Sequence, residues 1–154
     1  MDSKEIITYL ETAEEQLNDA ELVFKEERYA LSAFLSASCA ENATSALLIT
    51  LGAKPSKKHR NSLVLNRLAS SVPSKVQPNL REIIESMKTL EPHITKALYP
   101  IRRGLELFPP SKFYTREITK NALTQAQKVV KNVKLLVSWR LRENRTAMSK
   151  ESIL

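Results

Sequence analysis

Three groups of polar residues have types and spacing that could do chemistry. The first is Glu41, a lone acid inside the run AFLSASCAENATSALL. A carboxylate set among small apolar residues needs a cationic partner, because burying it unpaired is expensive; Arg102 or Arg103 is the expected one. The second is the cluster Lys54, Lys57, Lys58, His59 and Arg60, five cationic or potentially cationic side chains in seven positions. It reads either as a solvated loop or as a phosphate contact. The third is Tyr99-Pro100-Ile101-Arg102-Arg103-Gly104, which leads into a proline-rich loop bearing Phe108, Phe113 and Tyr114. Arginine forks beside aromatic rings suit a nucleobase and its phosphate. They suit a packed helix end equally well.

Other chemistry is poorly represented. His59 and His93 are too few for a histidine-rich metal site and sit in unrelated contexts. Cys39, mid-run among Ala and Ser, reads as a small buried residue rather than a nucleophile. Glu82 and Glu85 are close on a helix, but paired surface carboxylates are common, and no Ser-His-Asp or Cys-His grouping assembles locally. No catalytic residue, metal or cofactor is therefore assigned from the residues.

The elements that must position these groups are helices. The chain of 154 residues has only two glycines, Gly52 and Gly104, where roughly ten are usual at about 7%. A P-loop or dinucleotide fingerprint needs two or three glycines close together, and sandwiches and barrels need many tight turns. An all-α protein remains, long enough for one domain with a single core. One cysteine excludes an internal disulfide and fits a reducing compartment. No basic, then apolar, leader opens the chain, and the longest apolar run falls short of a membrane span of about 20 residues. A cytoplasmic protein without membrane contact is expected.

Charge is unevenly spread. Residues 1–27 hold nine acids and two bases, a net −7, whereas residues 28–154 hold eight acids and 22 bases, a net +14. Either the acidic first helix packs beside basic ones, or the chain presents a basic surface to RNA, DNA or a nucleotide phosphate.

Ile6, Leu10, Ala13, Leu17, Ala20 and Phe24 recur at alternating spacings of four and three, a narrow apolar seam for a helix from Ser3 to Glu27. A second helix over Tyr29–Leu51 is stopped by Gly52 in a left-handed conformation. The basic loop Ala53–Asn61 and a short helix over Ser62–Ser71 follow, and Pro73 and Pro78 break the chain. Leu80, Ile83, Ile84, Met87 and Leu90 mark the next helix. Pro92 kinks it or starts another, which runs through Ile94, Leu98 and Ile101 to end at Gly104. Gly104–Tyr114 reads as irregular, Thr115–Asn144 as the last helix, and 145–154 as a flexible tail on a domain spanning 1–144. The sum is an antiparallel up-down bundle of four to five main helices.

These features together resemble the HEPN family of small helical domains. Ala33-Phe34-Leu35-Ser36-Ala37-Ser38-Cys39-Ala40-Glu41-Asn42-Ala43, with Ala46-Leu47-Leu48 after it, is similar to the family's A-x-F-x-A-x-x-A-x-E-x-A run. Gly52, His59, Leu63, Leu65 and Leu68 follow the family's order of glycine stop, histidine and leucine-rich helix; Tyr99, Arg102, Arg103, Pro109, Pro110 and Tyr114 match its later arginine and proline-rich loop. The resemblance implies an antiparallel bundle that pairs two-fold. It also implies one of several roles: a metal-independent ribonuclease with an R-x4-6-H motif, a partner of a small nucleotidyltransferase, or a substrate-binding subunit of one. After Arg102 and Arg103, the places for that histidine are taken by Leu107, Phe108, Pro109 and Pro110, none of which transfers a proton.

The expected protein is thus a non-catalytic HEPN-type homodimer that binds a nucleotide, RNA or a nucleotidyltransferase. Arg102, Arg103 and Tyr99 form the phosphate site, Glu41 orients an arginine, and Lys57, Lys58, His59 and Arg60 add attraction. One rival is a ribonuclease whose displaced histidine, His59 or His93, folds onto the arginines. Another is an antitoxin-like interaction module whose apolar seam binds a partner helix.

Overall fold

Why the chain folds as a bundle is clearest at its second helix. In the computed structural model, which describes residues 3–153, α1 spans Ser3–Lys25 and α2 spans Tyr29–Thr50. Ala, Ser, Cys and Thr occupy most of α2, and all but one of its residues, Leu31, are buried or half-buried. A helix apolar or small on every side has no solvent face to keep, and other elements surround it. The sequence pattern pointed to burial on one side; the structure buries α2 nearly all round, in contact with α1, the last helix and three shorter helices. Small side chains let α1 approach closely enough for Ser32 Oγ to donate to the Ala20 carbonyl at 2.8 Å. An amide bridge, Asn42 to Gln16 to Ser38, adds two more cross-links at 2.8 and 2.9 Å.

Gly52 ends α2 as expected. At φ +82° it lets the Gly52 and Ala53 N–H groups return to the carbonyls of Ile49 and Leu48, at 3.0 and 2.8 Å. Such paired bonds close a helix through a left-handed residue. The chain then turns back into α3, Asn61–Leu68, and a single 3-10 turn, Ala69–Ser71. α4 covers Gln77–Leu90 and buries Leu80, Ile83, Ile84, Met87 and Leu90. Pro78 does not break the chain; it sits in the first turn of α4, where its missing N–H has no helical acceptor to lose.

The largest departure lies between Pro92 and Tyr114. The helix expected to reach Gly104 stops after one turn, α5, His93–Lys96. Two short strands follow, β1 Ile101–Arg103 and β2 Glu106–Phe108, antiparallel with Ile101 opposite Phe108 and Arg103 opposite Glu106. Pro100 is the cause: it lacks an N–H and drives Tyr99 out of the helical region. Gly104 is therefore no helix end. It is the first central residue of a two-residue turn at φ +61°, while Leu105 beside it keeps an ordinary negative φ, the type II′ pattern that matches strand twist.

After a 3-10 turn at Pro110–Lys112, α6 runs from Arg116 to Ile153. It buries Ala122, Ala126, Val129, Val130, Val133 and Val137 against the core. The stretch from 145 to 153, expected as a loose tail, continues α6 as helix, and residues 145–151 are exposed. The position of α6 also answers part of the charge question: α1 lies against it, where Lys134 pairs with Glu14 and Gln127 donates to Glu21 at 3.1 Å. Among the described residues no helix is long and apolar enough to cross a membrane.

The slenderness of α2 yields a direct prediction. Ala43 has no exposed surface, so Ala43→Leu inserts three carbons where there is no room. We expect it to lower the unfolding free energy by about 1–3 kcal/mol, read as a reduced urea midpoint at unchanged slope.

Candidate functional site

The basic loop is fastened to α2 from its far end. Asn61, the first residue of α3, is almost fully buried. Its amide nitrogen reaches the Glu41 carbonyl at 3.1 Å, Thr44 Oγ1 at 2.9 Å and Ser45 Oγ at 3.1 Å. Its Oδ1 accepts the Ser56 N–H at 2.9 Å. Next along the chain, the Ser62 N–H and hydroxyl donate to the two carboxylate oxygens of Glu91, at 2.9 and 2.8 Å, so a carboxylate from the end of α4 caps the N-terminus of α3.

Held between these anchors, His59 takes a left-handed backbone, φ +57°, which is uncommon for a residue with a side chain. In that conformation its Nδ1 sits 2.8 and 3.0 Å from the two oxygens of Glu41. Glu41 thus has a partner, and it is His59 rather than the expected arginine. The reason is topological: the Gly52 turn folds the loop back over α2, while the arginines lie on the hairpin. Among the described residues Arg102 and Arg103 make no ion pair with Glu41. Glu41 is about one-fifth exposed and His59 about half. His59, but not Glu41, lines a groove of about 400 Å³ whose wall includes Lys58, Arg60, Ser62, Lys88, Glu91 and Thr95. Lys54 and Lys57 are exposed on the same loop but do not line this groove.

On the hairpin, adjacent residues point to opposite faces. Ile101, Arg103 and Phe108 turn toward Lys112, Phe113 and Ile118; Arg102 and Leu107, paired across the strands, occupy the other face. The guanidinium of Arg103 lies 5.7 Å from the centre of the Phe113 ring, and the Lys96 ammonium lies 3.5 Å from it. Two cations on one ring is a cation–π arrangement. Tyr99 is 62% exposed, ahead of the strand that carries Arg102. The two arginines, adjacent in sequence, therefore do different things: one is docked on an aromatic ring and the other is presented outward.

His93 belongs to this second cluster. Its Nδ1 is 2.7 Å from the Tyr114 hydroxyl, and Tyr114 meets the Phe113 ring edge-on at 5.1 Å. Burial, and after it the Lys96 ammonium, hold His93 below the ordinary histidine pKa; burial pushes the Tyr114 hydroxyl up to about 12. A neutral imidazole accepting from a neutral phenol follows. Cys39 is buried in α2, and burial foremost, then Glu21, pushes its thiol up to about 12, which leaves no thiolate to react.

The structure thus places the sequence-derived site residues in two sites rather than one. Lys58, His59 and Arg60 gather at the loop groove, with Glu41 behind His59; Tyr99, Arg102 and Arg103 gather at the hairpin. Lys88, Glu91 and Lys96 join them as residues whose role the sequence did not single out. Among the described residues no three of His, Cys, Asp or Glu gather closely enough to hold a metal ion.

The model of the HEPN domain matches residues 7–136. The chain belongs to the HEPN family. A Methanocaldococcus jannaschii protein named "Putative toxin MJ1304" is 28% identical over 130 residues, covering 82% of this chain and 84% of that one. The crystal structure of TT1696 from Thermus thermophilus superposes with a TM-score of 0.64 at 25% identity, covering 85% of this chain and 97% of that one. The all-α bundle is therefore a HEPN bundle, and both of its polar clusters lie within the matched span.

The lowered pKa of His93 makes stability depend on pH. The folded chain binds a proton at His93 less readily than the unfolded chain, whose histidine titrates near 6.5. This contribution is complete above that value and is lost as pH falls below it. In thermal melts at pH 7 and pH 5, His93→Gln should show a smaller drop in Tm on acidification than the parent chain.

Proposed function

We propose that this HEPN protein binds single-stranded RNA through the outer face of the β1–β2 hairpin, as a homodimer of the toxin–antitoxin kind. The observation that carries this reading is the split of the two arginines: Arg103 is engaged by Phe113, while Arg102 is exposed on the opposite face of the strand. An outward guanidinium close in sequence to an exposed tyrosine supplies the two elements of single-strand binding, a phosphate contact and a stacking surface. The basic excess of residues 28–154 supports an anionic partner. The similarity to a protein named as a toxin supports the biological setting. At the hairpin the protein holds RNA and does not cut it, since Leu107, Phe108, Pro109 and Pro110 offer no proton-transfer group.

Homodimer formation has its support in the apolar side chains left outside. Leu98, Leu105 and Leu107 are at least half exposed, Leu105 completely so, and Leu31 nearly as much as Leu98. Leu31 and Leu98 border the same groove, of about 450 Å³, with Pro109 and Pro110.

Two measurements test these statements. Fluorescence anisotropy with a labelled single-stranded RNA should show Arg102→Ala weakening binding and making its salt dependence shallower by about 0.7 in log–log slope, the contribution of one phosphate contact. Arg103→Ala should have the smaller effect on that slope. An unchanged affinity in Arg102→Ala removes the hairpin reading. In sedimentation velocity, Leu105→Glu should shift the protein from dimer to monomer; an unaltered dimer removes that face as the interface.

A further inference from the structure

The inner face of the hairpin carries a cluster that RNA binding on the outer face leaves unused. Three elements meet there: the paired strands, the 3-10 turn Pro110–Lys112 and the first turn of α6. Ile101 and Phe108 are register partners, so their side chains project from one face of the ribbon. With Phe113 and Ile118 they make the apolar floor of a cavity of about 370 Å³, and Arg103 and Lys112 complete its wall. That volume suits a small molecule. All four floor residues are half-buried and both cations are exposed, so the apolar part lies deeper than the charged part.

The two cations have no counter-charge. Among the described residues neither Arg103 nor Lys112 is in an ion pair, and neither side chain makes a hydrogen bond. Glu106, opposite Arg103 in the strand register, and Glu117, beside Ile118, pair with no cation either. The contact of Arg103 with the Phe113 ring, at 5.7 Å, uses none of the guanidinium N–H donors. A third cation, Lys96, lies 3.5 Å from the centre of the same ring and adds to the positive field without lining the cavity. Like charges gathered beside apolar surface repel one another, and an anion seated among them relieves that repulsion. The floor decides what the anion must carry. A bare phosphate leaves the hydrocarbon wet, and a neutral hydrocarbon leaves the cations unpaired. An RNA phosphodiester has the charge but bears a ribose on each side, where the floor is apolar. A carboxylate on a hydrocarbon body satisfies both halves: its planar head matches the guanidinium fork, and its body covers Phe108, Phe113 and Ile118.

We propose that this cavity binds an amphipathic monocarboxylate with the chemistry of a medium-chain fatty acid. Arg103 holds the carboxylate through paired N–H donors, Lys112 supplies the second charge, and the hydrocarbon lies on the two phenylalanines. The site goes beyond the RNA-binding reading and does not depend on it, since Arg102 occupies the other face of the hairpin.

The test is a titration of the full chain with octanoate, followed through backbone amide shifts by NMR. The shifts should saturate and centre on residues 101–118. Octanol and acetate, each carrying one half of the ligand, should bind more weakly by about tenfold or more. Arg103→Gln should weaken octanoate binding by about tenfold, the loss of a charge-assisted fork, and Lys112→Gln by less. Both side chains are exposed, so both variants should keep the helical circular dichroism of the parent. Lys128→Gln, which removes the same charge from an exposed position on α6, should bind octanoate as the parent does. Octanol, acetate or inorganic phosphate binding as tightly as octanoate overturns the proposal. So do shifts centred elsewhere, or equal weakening in Lys128→Gln. Saturating single-stranded RNA should leave octanoate bound; displacement assigns Arg103 to the RNA and overturns this site while keeping the hairpin reading. A chain that binds octanoate but no RNA overturns the hairpin reading alone.

Discussion

Close approach of α1 and α6 to a helix made of small residues is the constraint on which the rest of the molecule depends. From Ser36 to Ala46, every side chain of α2 except Glu41 and Asn42 is small, so its neighbours pack near its backbone and surround most of its circumference. A helix so enclosed has few places for a polar group. Glu41 is tolerated because it sits at the edge where the 53–61 segment returns, and the carbonyl of the same residue is met by Asn61. The small-residue packing and the polar loop are therefore one design problem: the first leaves a gap at Glu41, and the second closes it.

That closure runs through three side chains of different chemistry. Asn61 uses both ends of its amide to tie the loop to α2; Glu91 ties the start of α3 to the end of α4; Glu41 holds the imidazole between them. Each is a short-range bond with defined direction, so the groove has a fixed shape even though most of its cations are exposed. The hairpin is built on a different principle. There the ring of Phe113 is shared by Lys96 and Arg103, and shape comes from stacking and strand register.

Much of this could be read from residue order alone. The seam of α1, the glycine stop of α2 and the HEPN-like run around Glu41 all depend on local spacing, and local spacing is what a sequence displays. Three features were hidden for specific reasons. Ile94, Leu98 and Ile101 continue a helical spacing, and this periodicity masked the warning carried by Tyr99-Pro100, which ends the helix. The Glu41–His59 contact spans eighteen positions and depends on the Gly52 turn reversing the chain, which spacing does not encode. The helical stretch from 145 onward contains Arg, Glu, Lys, Ala and Met, good helix formers, without Gly or Pro; weighing those residues above proximity to the terminus finds that helix.

The pairing of Arg103 with Glu106 across a two-residue turn makes the division of labour between the arginines a matter of parity. Both arginines are exposed, and which guanidinium turns toward the phenylalanine and which toward the other face of the hairpin is decided by whether an odd or even number of residues separates each from the turn. Inserting one uncharged residue between Arg103 and Gly104 preserves charge and both arginines, yet exchanges the two faces of the hairpin along that strand. Counting arginines in a relative of this chain is therefore less informative than counting the residues between them and the glycine.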